Sequence, residues 1–245
     1  MMTSRDFTSI INFILDNICP PILRDCYPLM FPIYYLAYGK QTARLLKYKD
    51  RYPFLSEAEY AEYYACAATT RLSARPTDLN EAGLRFVLSH IPAGSVCLDA
   101  GSGRGFLAKK ISSAGNTVYG LDIEKPKDFS EADGYTFVSG SVENIPFPDN
   151  AFDVVVCTHV LEHVRDLNKA MQELLRVAEK RLLIVLPRQR EYRFVADLHI
   201  RYFPYAYNVQ KALSIPNAVI TRVGSDWGII VENPSVCPYQ PHHDL

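Results

Sequence analysis

Four groups of residues in this sequence have types and spacings suited to chemistry. The sharpest is Val96-Cys-Leu-Asp-Ala-Gly-Ser-Gly-Arg-Gly-Phe106, where an apolar run ends in Asp99 and Gly101, Gly103 and Gly105 then alternate. Glycines at such a turn let the main chain bend tightly and meet a ligand with no Cβ in the way. A dinucleotide fingerprint would need glycine where Phe106 stands, so the spacing argues against a nicotinamide cofactor. The second group is Val118-Tyr-Gly-Leu-Asp122, whose terminal acid can accept two hydrogen bonds from ribose hydroxyls. The third, His159-Val-Leu-Glu162-His163, matches the H-x-x-E-H pattern of zinc peptidases. That chemistry needs both histidines on one helical face, and here His159 stands just past a strand pattern. The fourth is His199, in a segment from Arg188 to Tyr202 that holds four arginines against Glu191 and Asp197. It reads as a lid over an acceptor, with His199 either a general base or a packed imidazole.

The elements that would position these groups can be read from hydrophobic rhythm. Up to about residue 93 the patterns are helical and aromatic, over Phe7–Ile18, Ser56–Thr70 and Asp78–His90. Ser56 with Glu59 reads as a capping box, and Arg71–Pro76 as a joint. Beyond that point strands alternate with helices. Strands are expected at Ser95–Ala100, Thr117–Leu121, Tyr135–Val138, Phe152–Cys157 and Leu182–Leu186. Helices are expected at Gly103–Ser112 and Asp166–Glu179. Continuous apolar strands between helices imply a parallel sheet covered on both faces. Ala218–Val223 and Trp227–Val231 flank Gly224-Ser-Asp226 and predict an antiparallel hairpin on the sheet edge. The expected fold is thus α/β, a Rossmann-like, mostly parallel sheet with a C-terminal hairpin. Residues 1–76 form a Tyr-rich helical cap in this reading, and residues 77–245 the ligand-binding domain with the lid near 188–205.

Further wording lies on either side of the fourth strand: Gly140-Ser-Val-Glu-Asn-Ile-Pro-Phe-Pro-Asp-Asn-Ala-Phe-Asp153 runs into it, and Val160-Leu-Glu-His-Val164 follows it. With the acid-x-G-x-G-x-G turn, this order resembles class I S-adenosylmethionine (SAM)-dependent methyltransferases. It is similar to the large families around the ubiquinone and menaquinone biosynthesis C-methyltransferases, over roughly residues 94–187. The resemblance implies a seven-stranded sheet, SAM as cofactor and S-adenosylhomocysteine (SAH) as product. It implies that Asp99, Gly101, Ser102, Gly103 and Gly105 face the methionine part of SAM and that Asp122 holds the ribose. Ile123 and Val142 would flank the adenine. The family's adenine-contacting acid falls at Ser141, a departure that leaves Ser141 or Glu143 to make that contact. Thr158, at the end of the fourth strand, completes the cofactor set. His163 then either orders the loop after that strand or, with His159 and Glu162, holds a divalent ion as in some metal-dependent O-methyltransferases; no resident metal is the expectation. The reaction implied is in-line methyl transfer, with His199 and His159 as candidate bases for an oxygen acceptor.

Composition narrows the acceptor. The chain has 245 residues, 48% hydrophobic and 22% charged, with 26 basic and 27 acidic side chains. A net charge of −1 provides no global field for nucleic acid. No D/N-P-P-Y/W tetrapeptide follows the fourth strand. An aromatic, sugar or lipid-linked hydroxyl fits better, with a nucleic-acid methyltransferase and a non-catalytic SAM-binding protein as the alternatives. Six scattered cysteines without metal spacing suggest a reducing, cytoplasmic setting. No run is long enough for a membrane span. The apolar stretch 27–38, with Pro28 and Pro32, could pack on the core or rest on a membrane surface. The residues leave the oligomeric state open.

Overall fold

The computed structural model describes residues 14, 15, 18–68, 76–191, 193, 194, 197–234 and 239. Most of the expected Phe7–Ile18 helix and of the Arg71–Pro76 joint lies outside these residues. The chain divides into two compact units, one of residues 1–75 with 189–202, the other of residues 76–188 with 203–245.

The larger unit is built on a seven-stranded sheet in the order β3-β2-β1-β4-β5-β7-β6. Its strands are β1 (Val96–Ala100), β2 (Thr117–Asp122), β3 (Thr136–Ser139), β4 (Phe152–Thr158), β5 (Ala178–Pro187), β6 (Val219–Val223) and β7 (Asp226–Glu232). The first five pair in parallel; β7 runs antiparallel to both β5 and β6. The expected Rossmann-like sheet and terminal hairpin are both present. The hairpin's second strand sits inside the first, so β6 forms the edge.

Alternation along the central strands explains why both faces are covered. In β4, Val154 and Val156 point to a core with Phe86, Leu107 and Ile111, whereas Val155 and Cys157 point to one with Met171 and Leu174. These cores receive the helices of the unit, numbered after the five of the smaller unit: α6 (Glu81–Ser89), α7 (Phe106–Ser113), α8 (Leu167–Val177) and α9 (Ala206–Leu213). Asp166 Oδ1 accepts the Lys169 N–H at 2.9 Å and caps α8. Asn80 caps α6, accepting the Gly83 N–H at 2.7 Å, so this helix starts later than Asp78. Cys97 and Cys157 are free, buried thiols.

The smaller unit contains α1 (Pro21–Arg24), α2 (Tyr27–Tyr38), α3 (Thr42–Leu45), α4 (Tyr48–Arg51) and α5 (Glu57–Ala68). The Ser56–Glu59 capping box is formed, with the Ser56 N–H on Glu59 Oε2 at 2.9 Å and the Glu59 N–H on Ser56 Oγ at 3.3 Å. Leu45, Leu46, Tyr48, Leu55 and Tyr63 make its core together with Leu198. The segment 189–202 joins this unit through the Tyr34 hydroxyl, which donates to the Phe194 carbonyl at 2.9 Å, and through the Lys49–Glu191 ion pair.

Leu174 is fully buried in α8. Leu174→Ala is expected to remove about 2–5 kcal/mol of stability by leaving a cavity, read as a lower urea midpoint.

Candidate functional site

The candidate cofactor residues of the larger unit gather at one end of its sheet. Asp99 and Ala100 end β1, Asp122 ends β2, Ser141 follows β3 and Thr158 ends β4. These are the carboxyl ends of four adjacent strands, and strand order reverses between β1 and β4. In open α/β sheets ligands bind at that place.

The turn after β1 is made by three left-handed glycines, Gly101 (φ 79°), Gly103 (φ 51°) and Gly105 (φ 73°). Two of them are also fixed by close packing. A Cβ on Gly101 would overlap the Val160 side chain, and one on Gly105 would overlap the Tyr135 phenol. Gly103 has open space where its Cβ would be. The Gly101 and Ser102 N–H groups donate to the Leu121 carbonyl at 2.8 and 2.9 Å. The Gly103 N–H donates to Asp122 Oδ2 at 2.8 Å, so the two strand tips are joined through the turn itself.

Buried polar atoms without protein partners line this end. Asp99 is 1% exposed, and its Oδ2 has no hydrogen-bond partner among the described residues. Ser102 Oγ and Tyr135 Oη share that condition. Burial, and then the nearby Asp122 charge, push the Asp99 carboxyl up to about 7. Burial also lifts Asp122, against the N–H groups of Gly103 and Glu124. Unpaired polar groups at such depth are costly unless a ligand meets them. A cationic, hydroxyl-bearing ligand fits this donor and acceptor set.

Ile123 is 68% exposed beside Asp122, a large apolar side chain with no core to fill, and Val142 is buried. Ser141 Oγ accepts the Glu143 N–H at 3.1 Å. Glu143 is occupied elsewhere: its Oε1 accepts the Arg165 and Asp166 N–H groups at 2.9 and 3.1 Å, ahead of α8. An adenine contact through Glu143 would compete with those bonds.

His159 takes a left-handed conformation (φ 55°) directly after β4 and lies between two carboxylates. Its Nε2 is 3.3 Å from Asp226 Oδ2 and its Nδ1 is 3.6 Å from Glu162 Oε1. Burial alone would lower its pKa, but Asp226 and Glu162 outweigh burial and push it up to about 10. Held between these two carboxylates, His159 is drawn towards its protonated form, a charge-pairing role that stands beside its expected roles as base or metal ligand. Asn80 Nδ2 donates to Asp226 Oδ2 at 2.6 Å and ties this clamp to the start of α6. His163 Nε2 lies 3.9 Å from Glu162 Oε1. The H-x-x-E-H residues stand on no helix.

His199 belongs to the smaller unit. Its Nδ1 is 2.7 Å from Gln189 Oε1 and 3.3 Å from Asp197 Oδ2, and Gln189 Nε2 donates to the same Asp197 oxygen at 2.9 Å. Sequence reading passed over Tyr135 and Asp226. The signal for Tyr135 was a pair of glycines, Gly105 and Gly120, both needed to clear its ring. For Asp226 no local pattern existed.

The His159 clamp has a pH signature. The imidazolium is stabilised by folding, so its contribution is complete below the ordinary value of 6.5 and is lost as pH rises towards about 10. The melting temperature should therefore fall over that range more steeply for the native chain than for His159→Asn. Parallel curves by calorimetry would mean a neutral His159.

Comparison with known proteins agrees with this geometry. Residues 98–185 match the family model described as a methyltransferase domain. The chain is 33% identical over 111 residues to the ubiquinone/menaquinone biosynthesis C-methyltransferase UbiE of Hahella chejuensis, covering 40% of this chain and 45% of that protein. It is 37% identical over 93 residues to the malonyl-[acyl-carrier protein] O-methyltransferase of Buchnera aphidicola, covering 36% and 37%. The chain thus spans about two fifths of the length of these curated relatives. Among solved structures, the Burkholderia thailandensis 1,6-didemethyltoxoflavin-N1-methyltransferase, with 1,6-didemethyltoxoflavin and SAH bound, superposes with a TM-score of 0.58 at 16% identity, over 74% of this chain and 92% of that one. The glycine turn, the strand order and the matched family together identify residues 98–185 as a methyltransferase domain of the class I SAM-dependent family.

Proposed function

We propose that this chain transfers a methyl group from SAM to a small-molecule acceptor. The observation that carries the reading is the buried, unpartnered Asp99 oxygen beside a glycine turn whose next strand tip also ends in an acid. When bound, SAM supplies an electrophilic methyl group already activated by its sulfonium. The chain's own task is then to bind, orient and exclude water. In this reading the Gly101–Gly105 backbone meets the methionine portion of the cofactor. Asp99 meets a positive charge of that portion, and Asp122 accepts the ribose hydroxyls while keeping the Gly103 N–H. Ile123 and Val142 flank the adenine, with Ser141 at its edge and Thr158 at the end of β4 closing the set. No step here calls for a metal.

The relatives are methyltransferases named for transfer to carbon, oxygen and nitrogen. A shared cofactor domain therefore leaves the acceptor atom to other residues. For an acceptor hydroxyl a base must take the proton, and His199 is the one we propose. Gln189 and Asp197 would hold its ring. A small acceptor is favoured over nucleic acid by the near-zero net charge.

Ligand binding tests the core of the reading. SAM or SAH should raise the melting temperature, by about 2.7 kcal/mol of stabilisation at a hundredfold excess over Kd. A shift with NAD and none with SAM or SAH would overturn it. Asp122→Ala should weaken SAM binding by roughly 1.5–3 kcal/mol through lost charged hydrogen bonds; unchanged affinity by calorimetry would remove Asp122 from the site. Asp99 adds a proton signature. With its carboxyl near 7 in the free protein, binding a cation should expel the proton. SAM affinity should thus rise with pH up to about 7 and then level off, and Asp99→Asn should abolish that dependence.

A further inference from the structure

The smaller unit carries an apolar surface that its own core does not use. Helix α2, Tyr-Pro-Leu-Met-Phe-Pro-Ile-Tyr-Tyr-Leu-Ala-Tyr, contains no charged residue. One side is spent on the core: Met30 is 2% exposed, and Phe31, Tyr34 and Tyr38 pack beside Leu45 and Tyr48. The other side is a stripe at helical spacing, Leu29, Pro32, Ile33 and Leu36, and all four are exposed, Leu36 by 78%. Helix α1 extends it with Ile22, 80% exposed. A helix apolar on every side is ordinarily buried, so this stripe calls for a cover. Twelve residues give a helix of roughly 18 Å, too short for a hydrocarbon core of about 30 Å. Among the described residues no helix is long and apolar enough to cross a membrane.

Charge on the C-terminal side of α2 selects the cover. Between residues 39 and 51 stand Lys40, Arg44, Lys47, Lys49 and Arg51 against the single acid Asp50. Arg44, Lys49 and Arg51 pair within the unit, with Glu62, Glu191 and Glu59. Lys40 and Lys47 are exposed and have no ion-pair partner among the described residues. A second copy docked through the same stripe about a twofold axis would bring these cations near their counterparts, with nothing to neutralise them. An anionic lipid surface meets both needs, since acyl chains cover the stripe and phosphates face the lysines.

We propose that the α1–α2 face rests in the interface of an anionic lipid bilayer. Ile22, Leu29, Ile33 and Leu36 enter the acyl boundary, Tyr27 and Tyr35 lie at headgroup level, and Lys40 and Lys47 meet lipid phosphates. The inference is independent of methyl transfer and needs no cofactor.

Flotation of the full chain with vesicles tests it. The native protein is expected to float with phosphatidylcholine vesicles containing about one third phosphatidylglycerol, to float poorly with phosphatidylcholine alone, and to detach in high salt. Lys40→Gln and Lys47→Gln should each lower the affinity roughly fivefold. The triple variant Leu29→Glu, Ile33→Glu, Leu36→Glu should lose flotation while keeping its circular-dichroism melt, because all three positions are exposed. The proposal is overturned by a native protein that floats with neither vesicle, or by lysine variants that float as the native chain does. A native dimer in sedimentation velocity that the triple variant dissolves would overturn it too, in favour of a second copy.

Discussion

A main-chain N–H donating to a carboxylate on the neighbouring strand tip, Gly103 to Asp122, is the contact on which the rest of the site depends. It closes the turn between β1 and α7 without any side chain from the turn itself. The backbone stays bare, and the acid's second oxygen accepts the Glu124 N–H at 3.3 Å with a lone pair left for a further donor. Parallel pairing of β1 with β2 sets the register that makes this contact reachable, since Ala100 lies opposite Leu121 and Asp122 comes directly after. The central position of β1, between β2 and β4, then buries Asp99 and denies it water. Sheet order, turn conformation and carboxyl energetics are thus one problem solved together.

The opposite corner of the same sheet end is organised by charge compensation. Two carboxylates and a histidine, Asp226, Glu162 and His159, are buried as a group from two places in the chain. Breaking such a group is strongly destabilising, because it strands an uncompensated charge. That cost gives the residues after β4 a defined path, including the left-handed backbone at His159. The Val160 side chain that limits Gly101 is the next residue along this path, so the clamp and the glycine turn constrain each other.

Much of this was legible from residue order. The strand Phe152–Cys157 is apolar at nearly every position and needs no context to be recognised. The three alternating glycines announce a turn of their own conformation. The start of β5 was not legible: Glu179, Lys180 and Arg181 are polar, and they are strand residues because β5 pairs with β4 on one side and, through Arg181 and Glu232, with β7 on the other. Helix α9 was missed because Tyr205 offers it no side-chain cap. The surroundings of His159 were only half legible, because Asp226 is close to it only in three dimensions. Spacing along the chain could show Glu162 beside it, and nothing more.

The placement of β7 between β5 and β6 has a consequence for how the chain is made. Among the described residues β7 follows β6 in the chain, yet it lies inside β6 in the sheet. Until residues 226–232 arrive, β6 has no strand to bind and the flank of β5 stays bare. From the emergence of β5 until that of residues 226–232, a nascent chain therefore carries an open border that is apolar over Leu182–Leu186, the kind of border that recruits other chains. Chaperone demand during translation is built into this topology, whatever the finished molecule does.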